Sequence, residues 1–471
     1  MNLPAMNQPA KNEATPGFRP DRHPSESYGD ILEADSRPVP AHLRQGPVPD
    51  IGLDPVRVSD YICPERFRRE VDHVWLKAWQ FACREEDIPA VGDFHIYDIA
   101  DKSFIVIRSA PDRIQAFANS CLHRGRKLAT QDGCHQALRC PFHGMTWAID
   151  GSFRENPIAW DFPQWEGRDM ALPEAQVACW GGFVFINPDR AAPPLDRYIQ
   201  PLADHFADYD YPGCVKAIHV SKQVRCNWKI AAEAFMESHH AIATHPQILP
   251  YLADANSQYD HLSDFVTRQF SAMGVPSPFV ADQEYSPDEI ISAMNGVDHG
   301  TAPAPRMVPD GETARRFAAE HRRQALGAED GWDYADRSDA EMLDALLYNL
   351  WPHMSFWAGY APNLVYRWRP VGHDPETCVM DVMLLRRAPR HGPRPAPAHE
   401  HKLDFDQPWS DAPQLGVLAE IFEQDMLNLP FVQEGLRASA TGEVHFGRYS
   451  EMRIRQMHLL IARFIAEGEA A

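Results

Sequence analysis

From Pro64 onward, Phe67, Val71, Val74, Trp75 and Trp79 recur at offsets of 4, 7, 8 and 12 from Phe67, which places them on one helical face. Pro64 suits the first turn of such a helix, and the spacing predicts a docking helix where the folded chain begins. Beyond Gly92 the period shortens. The segments "DFHIYDI", "SFIVIRS", "IQAFANS", "MTWAIDGSFRE" and "WGGFVFINPD" read as short strands, and Asp150-Gly151 between two apolar runs predicts a tight hairpin turn. A small antiparallel β domain up to about residue 190 is expected.

After Pro194 longer helical segments mix with strands. Residues 227–247, "NWKIAAEAFMESHHAIATHPQ", start with a helical pattern that must end before Pro246, because proline disfavours helix in the residue ahead of it. Residues 252–337 read as a long excursion. Ser338 and Glu341 form a capping box that predicts a helix carrying Met342, Leu343, Leu346, Leu347 and Leu350. "MSFWAGY", "NLVYRWRPV" and "CVMDVMLL" then read as consecutive strands, residues 387–401 as a Pro/His/Arg loop, and 412–429 and 450–466 as closing helices. No internal repeat is evident. The first fifty residues, rich in Pro, Asn, Asp and Ser without periodicity, are expected to form a flexible arm or one wrapped on a neighbour. The expected division is an arm at 1–50, a β domain with its docking helix at 51–190, and an α+β domain at 191–471.

Composition changes this picture little, but it removes several functions. With 44% hydrophobic and 24% charged residues in 471, the chain is of globular type and long enough for two domains. Its 45 basic and 66 acidic side chains give a net charge of −21, which argues against nucleic acid or anionic membrane as partner and for a small molecule. The longest apolar stretches, such as "WGGFVFI" at 180–186, fall far short of the ~20 residues that cross a bilayer. The N-terminus lacks a basic start followed by an apolar core, so a cytoplasmic location is expected. Nine scattered cysteines argue for reduced thiols or metal ligands rather than a disulfide framework.

Candidate chemistry concentrates in "CLHRGRKLATQDGCHQALRCPFH", residues 121–143. Cys121, His123, Cys140 and His143 form two short ligand pairs on two loops. A structural zinc accepts two Cys and two His, and so does a Rieske [2Fe–2S] cluster, with both cysteines on one iron and both histidines on the other. In common zinc fingers the cysteines form one pair and the histidines the other. Here each loop supplies one of each, so that each could contact both irons, and the spacing favours the cluster. Cys134 and His135 are read as packing or surface residues.

A second site is expected beyond residue 190, since an electron carrier would need only the first domain. His240 and His245 would diverge on a continuous helix and converge only if the helix ends between them, which Thr244-His245-Pro246 provides. Two imidazoles and a carboxylate on one face of an iron leave positions open for O2 and substrate. In "QLGVLAEIFEQDMLNLPF", Asp425 falls on the apolar face with Ile421 and Phe422, while Glu423 and Gln424 point more outward. A carboxylate facing a core costs several kcal/mol unless it is paired or ligates metal, so Asp425 is the candidate third ligand.

With both sites located, the chain resembles the catalytic α subunit of the Rieske non-haem iron ring-hydroxylating oxygenases. The likeness runs from about residue 60 to 466 through "CLHRG", "CPFHG", "WGGFVFIN", "NWK", E-x2-H-x4-H and "EQDMLNLPFVQEGL". It implies an α+β fold: a small antiparallel β Rieske domain ahead of a helix-grip catalytic domain with an antiparallel sheet and flanking helices. It implies a [2Fe–2S] cluster on Cys121, His123, Cys140 and His143, and mononuclear Fe(II) on His240, His245 and Asp425. It further implies electrons from NADH or NADPH through a separate reductase, with or without a ferredoxin, O2 as co-substrate, and a homotrimer with or without a small β subunit (α3 or α3β3). In that family a carboxylate bridges the two metal centres of neighbouring subunits, and Glu237 matches it. Many ring dioxygenases carry Asp there, and His239 and Ala234 also depart from the usual Tyr and Asn. The implied reaction is cis-dihydroxylation or monohydroxylation of an apolar, aromatic substrate, with oxidative O- or N-demethylation as the alternative. Phe235, Met236 and Ala241, which flank the ligands, are expected to line the pocket together with Phe356, Trp357 and Tyr360. Arg124, Arg126 and Lys127 form a local basic patch that either receives an acidic electron donor or is a solvated loop. The rivals from other classes are a zinc-stabilised scaffold and a Rieske electron-transfer protein without oxygenase activity.

Overall fold

The computed structural model describes residues 20–470 apart from 297–302, 306 and 362. The expected docking helix is present as Pro64–Glu70, with Pro64 in its first turn, and continues into a π-helical turn at Val71–Trp75. Phe67, Val71, Val74, Trp75 and Trp79 are all buried, as the single-face spacing requires.

Antiparallel strands follow. Seven form one sheet in the order Gln80–Arg84, Phe183–Asn187, Glu174–Trp180, Arg113–Ala118, Lys102–Ala110, Asp93–Ile99 and Gly133–Cys134. A second sheet of Ala137–Arg139, Thr146–Ala148 and Phe153–Glu155 contains the expected hairpin. Gly151 turns that hairpin at φ +80°, and a Cβ there would lie 2.5 Å from the Phe117 ring, so both backbone and packing demand glycine. Phe94, Ile105, Ile107, Phe117, Leu138 and Trp147 form the core that these sheets share with Cys121 and Cys140.

The second domain is an eight-stranded sheet in the order Leu252–His261, Val266–Met273, Ala345–Leu350, Met354–Trp357, Asn363–Pro370, Cys378–Arg387, Cys214–Val224 and His401–Leu403. All its pairs are antiparallel except the last. The long helix Met452–Ala470 packs on Leu252–His261 and on the π-helical turn, tying the end of the chain to the start of the fold. The two domains also touch directly: Arg367 donates to the carbonyls of Phe81 and Ala82, and the Phe81 amide donates to His353 Nε2 at 3.0 Å.

Several expectations are corrected. Residues 20–50 are not a flexible arm: Tyr28–Glu33 is a helix packed on the eight-stranded sheet, with Tyr28, Ile31, Leu32 and Leu43 buried. The anchor is polar. Arg315 bonds Asp35 at 2.9 Å and Asp344 at 2.5 Å, and the Tyr28 hydroxyl donates to Asp344 at 3.0 Å. Long-range ion pairing of this kind leaves no periodic signal. Residues 1–19 lie outside the described residues. The capping box at Ser338 and Glu341 is real, but its helix is only Asp339–Leu343, and Ala345–Leu350 is a strand between two others. Backbone pairing on both sides and burial of both faces outweigh the helical preference of leucine. The excursion at 252–337 supplies two sheet strands before its helices Pro287–Asn295 and Ala314–Asp330. The segment from residue 227 breaks into two short helices, Trp228–Glu233 and Ala241–Thr244, and the expected helix at 412–429 reduces to Leu418–Met426, followed by a second one at Leu429–Arg437.

Candidate metal centres

Two loops at the tip of the first domain repeat one geometry. In each, a glycine with positive φ (Gly125, +72°; Gly144, +80°) donates its amide to the carbonyl of the cysteine four residues earlier, at 2.9 Å for Cys121 and 3.0 Å for Cys140. That closure points the thiols inward, where both are buried and in hydrogen-bond contact, and sets the histidines around them. The rings of His123 and His143 lie edge to face at 4.6 Å. Nδ1 of His123 is buried without a hydrogen-bond partner, an arrangement that is costly unless the nitrogen ligates something. Burial and the neighbouring His143 also lower the pKa of His123, which suits a neutral imidazole ligand. These four side chains fit a two-iron, two-sulfur cluster. Cys134 and His135 stand apart: Cys134 sits exposed on an edge strand opposite Asp93, and His135 packs on Phe94 at 5.0 Å.

In the second domain the helix Trp228–Glu233 ends, and a turn carries the chain to the single-turn helix Ala241–Thr244. His240 precedes that turn and His245 follows it, so both rings face one point, with centroids 5.2 Å apart. The helix Leu418–Met426 brings Asp425 between them: Oδ1 is 3.0 Å from His245 Nε2 and 3.8 Å from His240 Nε2. One ligand atom from each of the three lies within 4.8 Å of the other two. The remaining ring nitrogens are held from behind. Glu237 accepts from His240 Nδ1 at 2.5 Å, and Gln424 Oε1 accepts from His245 Nδ1 at 2.7 Å, so both Nε2 atoms are left for a metal. Three converging donors of this type fit a 2-His-1-carboxylate iron site.

Glu237 also takes the His240 amide at 3.0 Å and His239 Nδ1 at 2.8 Å. Burial alone would raise its pKa, but the hydrogen bonds from His239 and His240 outweigh that and bring it down to about 2. It is a carboxylate throughout the physiological range.

The ligands open on a cavity of about 220 Å³. Of the expected lining residues, Phe235, Ala241 and Trp357 are on its wall. Met236, Phe356 and Tyr360 are not. Met236 is fully buried, Phe356 belongs to an aromatic cluster with Trp180 and Phe206, and Tyr360 packs on Tyr209 and Tyr334. Phe356 and Trp357 diverge because successive residues of the strand Met354–Trp357 face opposite sides, whereas Met236 and Tyr360 lie in bends outside any strand. Sequence reasoning missed Tyr366, Gln269, Ser271 and Arg322 on the wall, which come from elements distant in the chain. It also placed Gln424 outward, whereas the amide turns in to His245. A second His/Asp/Glu cluster, His219, Asp381 and Glu400, is an ion-pair network: Arg367 and Arg369 both pair with Asp381, which in turn bonds His219.

The fold and these two sites define a two-centre iron protein, with an iron–sulfur domain ahead of a domain built for a mononuclear metal. The model of the Rieske [2Fe–2S] domain matches residues 78–166, and that of the ring hydroxylating alpha subunit (catalytic domain) matches residues 204–467. The chain therefore belongs to the Rieske ring-hydroxylating α-subunit family, whose cofactors are a Rieske cluster and a mononuclear iron. It is 29% identical over 198 residues to the oxygenase subunit of glycine betaine monooxygenase from Pseudomonas aeruginosa, a match covering 41% of this chain and 46% of that one. It is 30% identical over 191 residues to the alpha subunit of chlorobenzene dioxygenase from Cupriavidus sp., covering 39% and 42%. The matched region thus spans less than half the length of these curated relatives. Among solved structures, the quaternary ammonium Rieske monooxygenase CntA in complex with L-carnitine superposes with a TM-score of 0.60 at 17% identity, covering 88% of this chain and 96% of that one. A naphthalene 1,2-dioxygenase variant bound to phenanthrene gives 0.60 at 18%, covering 90% and 96%. At such identities the likeness is one of fold. No helix among the described residues is long and apolar enough to cross a membrane.

Proposed function

We propose that this chain is the terminal oxygenase component of a Rieske system, taking electrons from NADH or NADPH through a separate reductase and inserting oxygen from O2 into an organic substrate. Cys121, His123, Cys140 and His143 hold the cluster, and His240, His245 and Asp425 hold the iron, which when bound supplies the site where O2 is reduced beside the substrate. Glu237 is a positioning residue that fixes His240 through Nδ1. The observation that carries this reading is the convergence of three ligand atoms on the wall of a cavity lined mainly by apolar and aromatic side chains.

The cavity supports an apolar, ring-bearing substrate. Phe235, Tyr366 and Phe422 stand within 4.7 to 6.4 Å of one another, and Leu364, Leu418 and Trp357 continue the wall. Hydroxylation against this wall is the first reading. The second is oxidation or demethylation at a quaternary ammonium nitrogen, since the same ring faces attract a cation. The named relatives include both kinds, a betaine monooxygenase and a chlorobenzene dioxygenase.

Exposed apolar side chains support assembly with further copies of the chain. Phe142 and Trp160 are 56% and 83% exposed beside the cluster loops, and Leu427 and Phe431 are 67% and 66% exposed just beyond Asp425. Apolar patches of this kind mark contact surfaces. In the proposed head-to-tail trimer one subunit's cluster tip faces its neighbour's Glu237. Lys127 pairs with Asp98 at 3.3 Å, which offsets part of the basic patch proposed for an acidic donor.

The test is electron paramagnetic resonance of dithionite-reduced, anaerobic protein with nitric oxide added. A Rieske signal together with a high-spin iron–nitrosyl signal is expected. A Rieske signal alone in iron-replete protein makes the chain an electron carrier, and a silent protein holding zinc ends the reading. Product analysis under labelled O2, with aromatic and quaternary ammonium substrates in parallel, separates the two substrate readings.

A further inference from the structure

The cavity wall is not uniformly apolar. Along the same sheet as Trp357 and Tyr366, the strand Val266–Met273 presents Gln269 and Ser271, two positions apart and therefore on one face, with Gln269 in register with Leu347 and through it with Trp357. Behind Gln269 stands Arg453 of the helix Met452–Ala470, 1% exposed, which donates through Nη1 to Gln269 Oε1 at 2.9 Å. An arginine carries only donors, so the amide oxygen must face it and the NH2 group must turn the other way, where Nε2 lies 3.5 Å from Ser271 Oγ. Gln269 is thereby fixed as a donor toward the cavity side.

Positive charge reinforces this. Nε and Nη2 of Arg453 have no hydrogen-bond partner, and the carboxylate that acts on its charge is Glu237. Burial lowers its pKa to about 9, which still leaves it cationic at neutral pH. Arg322 of the helix Ala314–Asp330, also buried, is on the cavity wall itself. A guanidinium has five N–H donors, so it serves a ligand alongside its contacts within the protein. The carboxylates among the described wall residues are Glu237 and Asp425, and both are committed to the histidines. Away from the iron ligands, the charged side chain among the described wall residues is Arg322.

We propose that Arg322 and Gln269 form an anion subsite and that the substrate of this oxygenase is an amphipathic carboxylate, its apolar body against Phe235 and Tyr366 and its carboxylate on the guanidinium and the amide. The proposal rests on reading this cavity as the oxygenase pocket. It applies equally to a ring-bearing acid and to a trimethylammonium acid, and it excludes a substrate that carries no anionic group.

Two matched pairs of probes test it, each an acid against its alcohol: 3-phenylpropanoate against 3-phenylpropan-1-ol, and glycine betaine against choline. Affinities are measured by calorimetry on the cluster- and iron-loaded protein. In one pair at least, the acid is expected to bind at least about tenfold more tightly than the alcohol, the worth of a hydrogen bond to a charged group. Arg322→Gln should erase that preference and leave the alcohol's affinity unchanged, Arg322→Lys should keep most of it, and Gln269→Leu should reduce it. Equal affinity for acid and alcohol in both pairs, or no binding of either acid, overturns the proposal. So does an Arg322→Gln protein, intact by its visible cluster absorption, that binds acid and alcohol equally less well. If Arg322→Gln does not fold, Gln269→Leu decides, and an unchanged acid preference in it overturns the proposal. An acid that binds with the stated preference but is never oxygenated with reductase, NADH and O2 leaves the subsite standing and removes the oxygenase reading. Oxygenation of acid and alcohol alike at equal affinity does the reverse.

Discussion

Gln424 and Asp425, adjacent in sequence, hold the two ring nitrogens of His245 from opposite sides, Gln424 on Nδ1 at 2.7 Å and Asp425 on Nε2 at 3.0 Å. One short helix thus supplies both the candidate third ligand and the acceptor that orients the second. Gln424→Leu would leave Nδ1 without its acceptor and free the ring to turn. We expect iron affinity to fall by about 10- to 100-fold, the usual cost of losing a partner behind a metal-bound histidine. Glu423→Ala, which removes an acceptor for the Trp409 amide and a charge near Lys222 but nothing that touches the histidines, should leave iron content near wild type. Metal analysis after graded chelation checks both.

Asp425→Ala is expected to abolish mononuclear iron and turnover while leaving the visible and resonance signatures of the cluster unchanged. The two centres are built on different loops in different domains, so removal of one need not disturb the other. Full activity in this variant would remove Asp425 as ligand.

Glu237→Gln keeps an acceptor for His240 but removes the charge. Both metals should remain, and NADH-driven turnover should fall by about 10- to 100-fold, as for the loss of a partner behind a metal-bound histidine. Normal steady-state turnover in a fully loaded Glu237→Gln protein would show that the carboxylate is not needed.

Stability offers an independent check on the fold. Lys229 and Glu70 are both fully buried and paired at 2.7 Å, with the Trp228 indole donating to the same carboxylate at 3.3 Å. Lys229→Met leaves that carboxylate only the indole and the more distant Arg66 at 4.0 Å and should cost about 3–5 kcal/mol, while Lys229→Met with Glu70→Leu should cost less than the single change. Urea denaturation midpoints decide.

His42 and His205 stack at 5.2 Å, and burial, followed by the charge of Arg268, lowers both pKa values to about 4. The unfolded chain binds these two protons near the usual histidine value of about 6.5, the native protein only near 4. Stability contributed by the neutral pair is therefore present above pH ~6.5 and is lost as the pH falls toward 4. His42→Gln with His205→Gln should flatten that part of the stability profile, measured as the difference from wild type in urea titrations at several pH values. An unchanged slope would mean that other groups set it.

The cluster motif, the histidine pair and the candidate carboxylate were legible in the sequence because each depends on local spacing: two loops of five or six residues, a proline that ends a turn, an acid on an apolar helix face. The β strands of the first domain were legible for the same reason, since alternation and the Asp150-Gly151 turn are local signals. The strand Ala345–Leu350 and the ordered segment 20–50 were not, because neighbours far away in the chain decide them, through pairing on two sides in one case and through Arg315 and Asp344 in the other. The sequence by itself determined which metals this protein is built for. Only the tertiary structure decided what stands behind and around them: that Gln424 faces inward, that Met236, Phe356 and Tyr360 leave the cavity wall, and that Gln269 and Arg322 line it, with Arg453 behind Gln269. Ligand chemistry is written in short spacings, whereas the direction of a side chain and the charge of a cavity depend on which distant elements pack there.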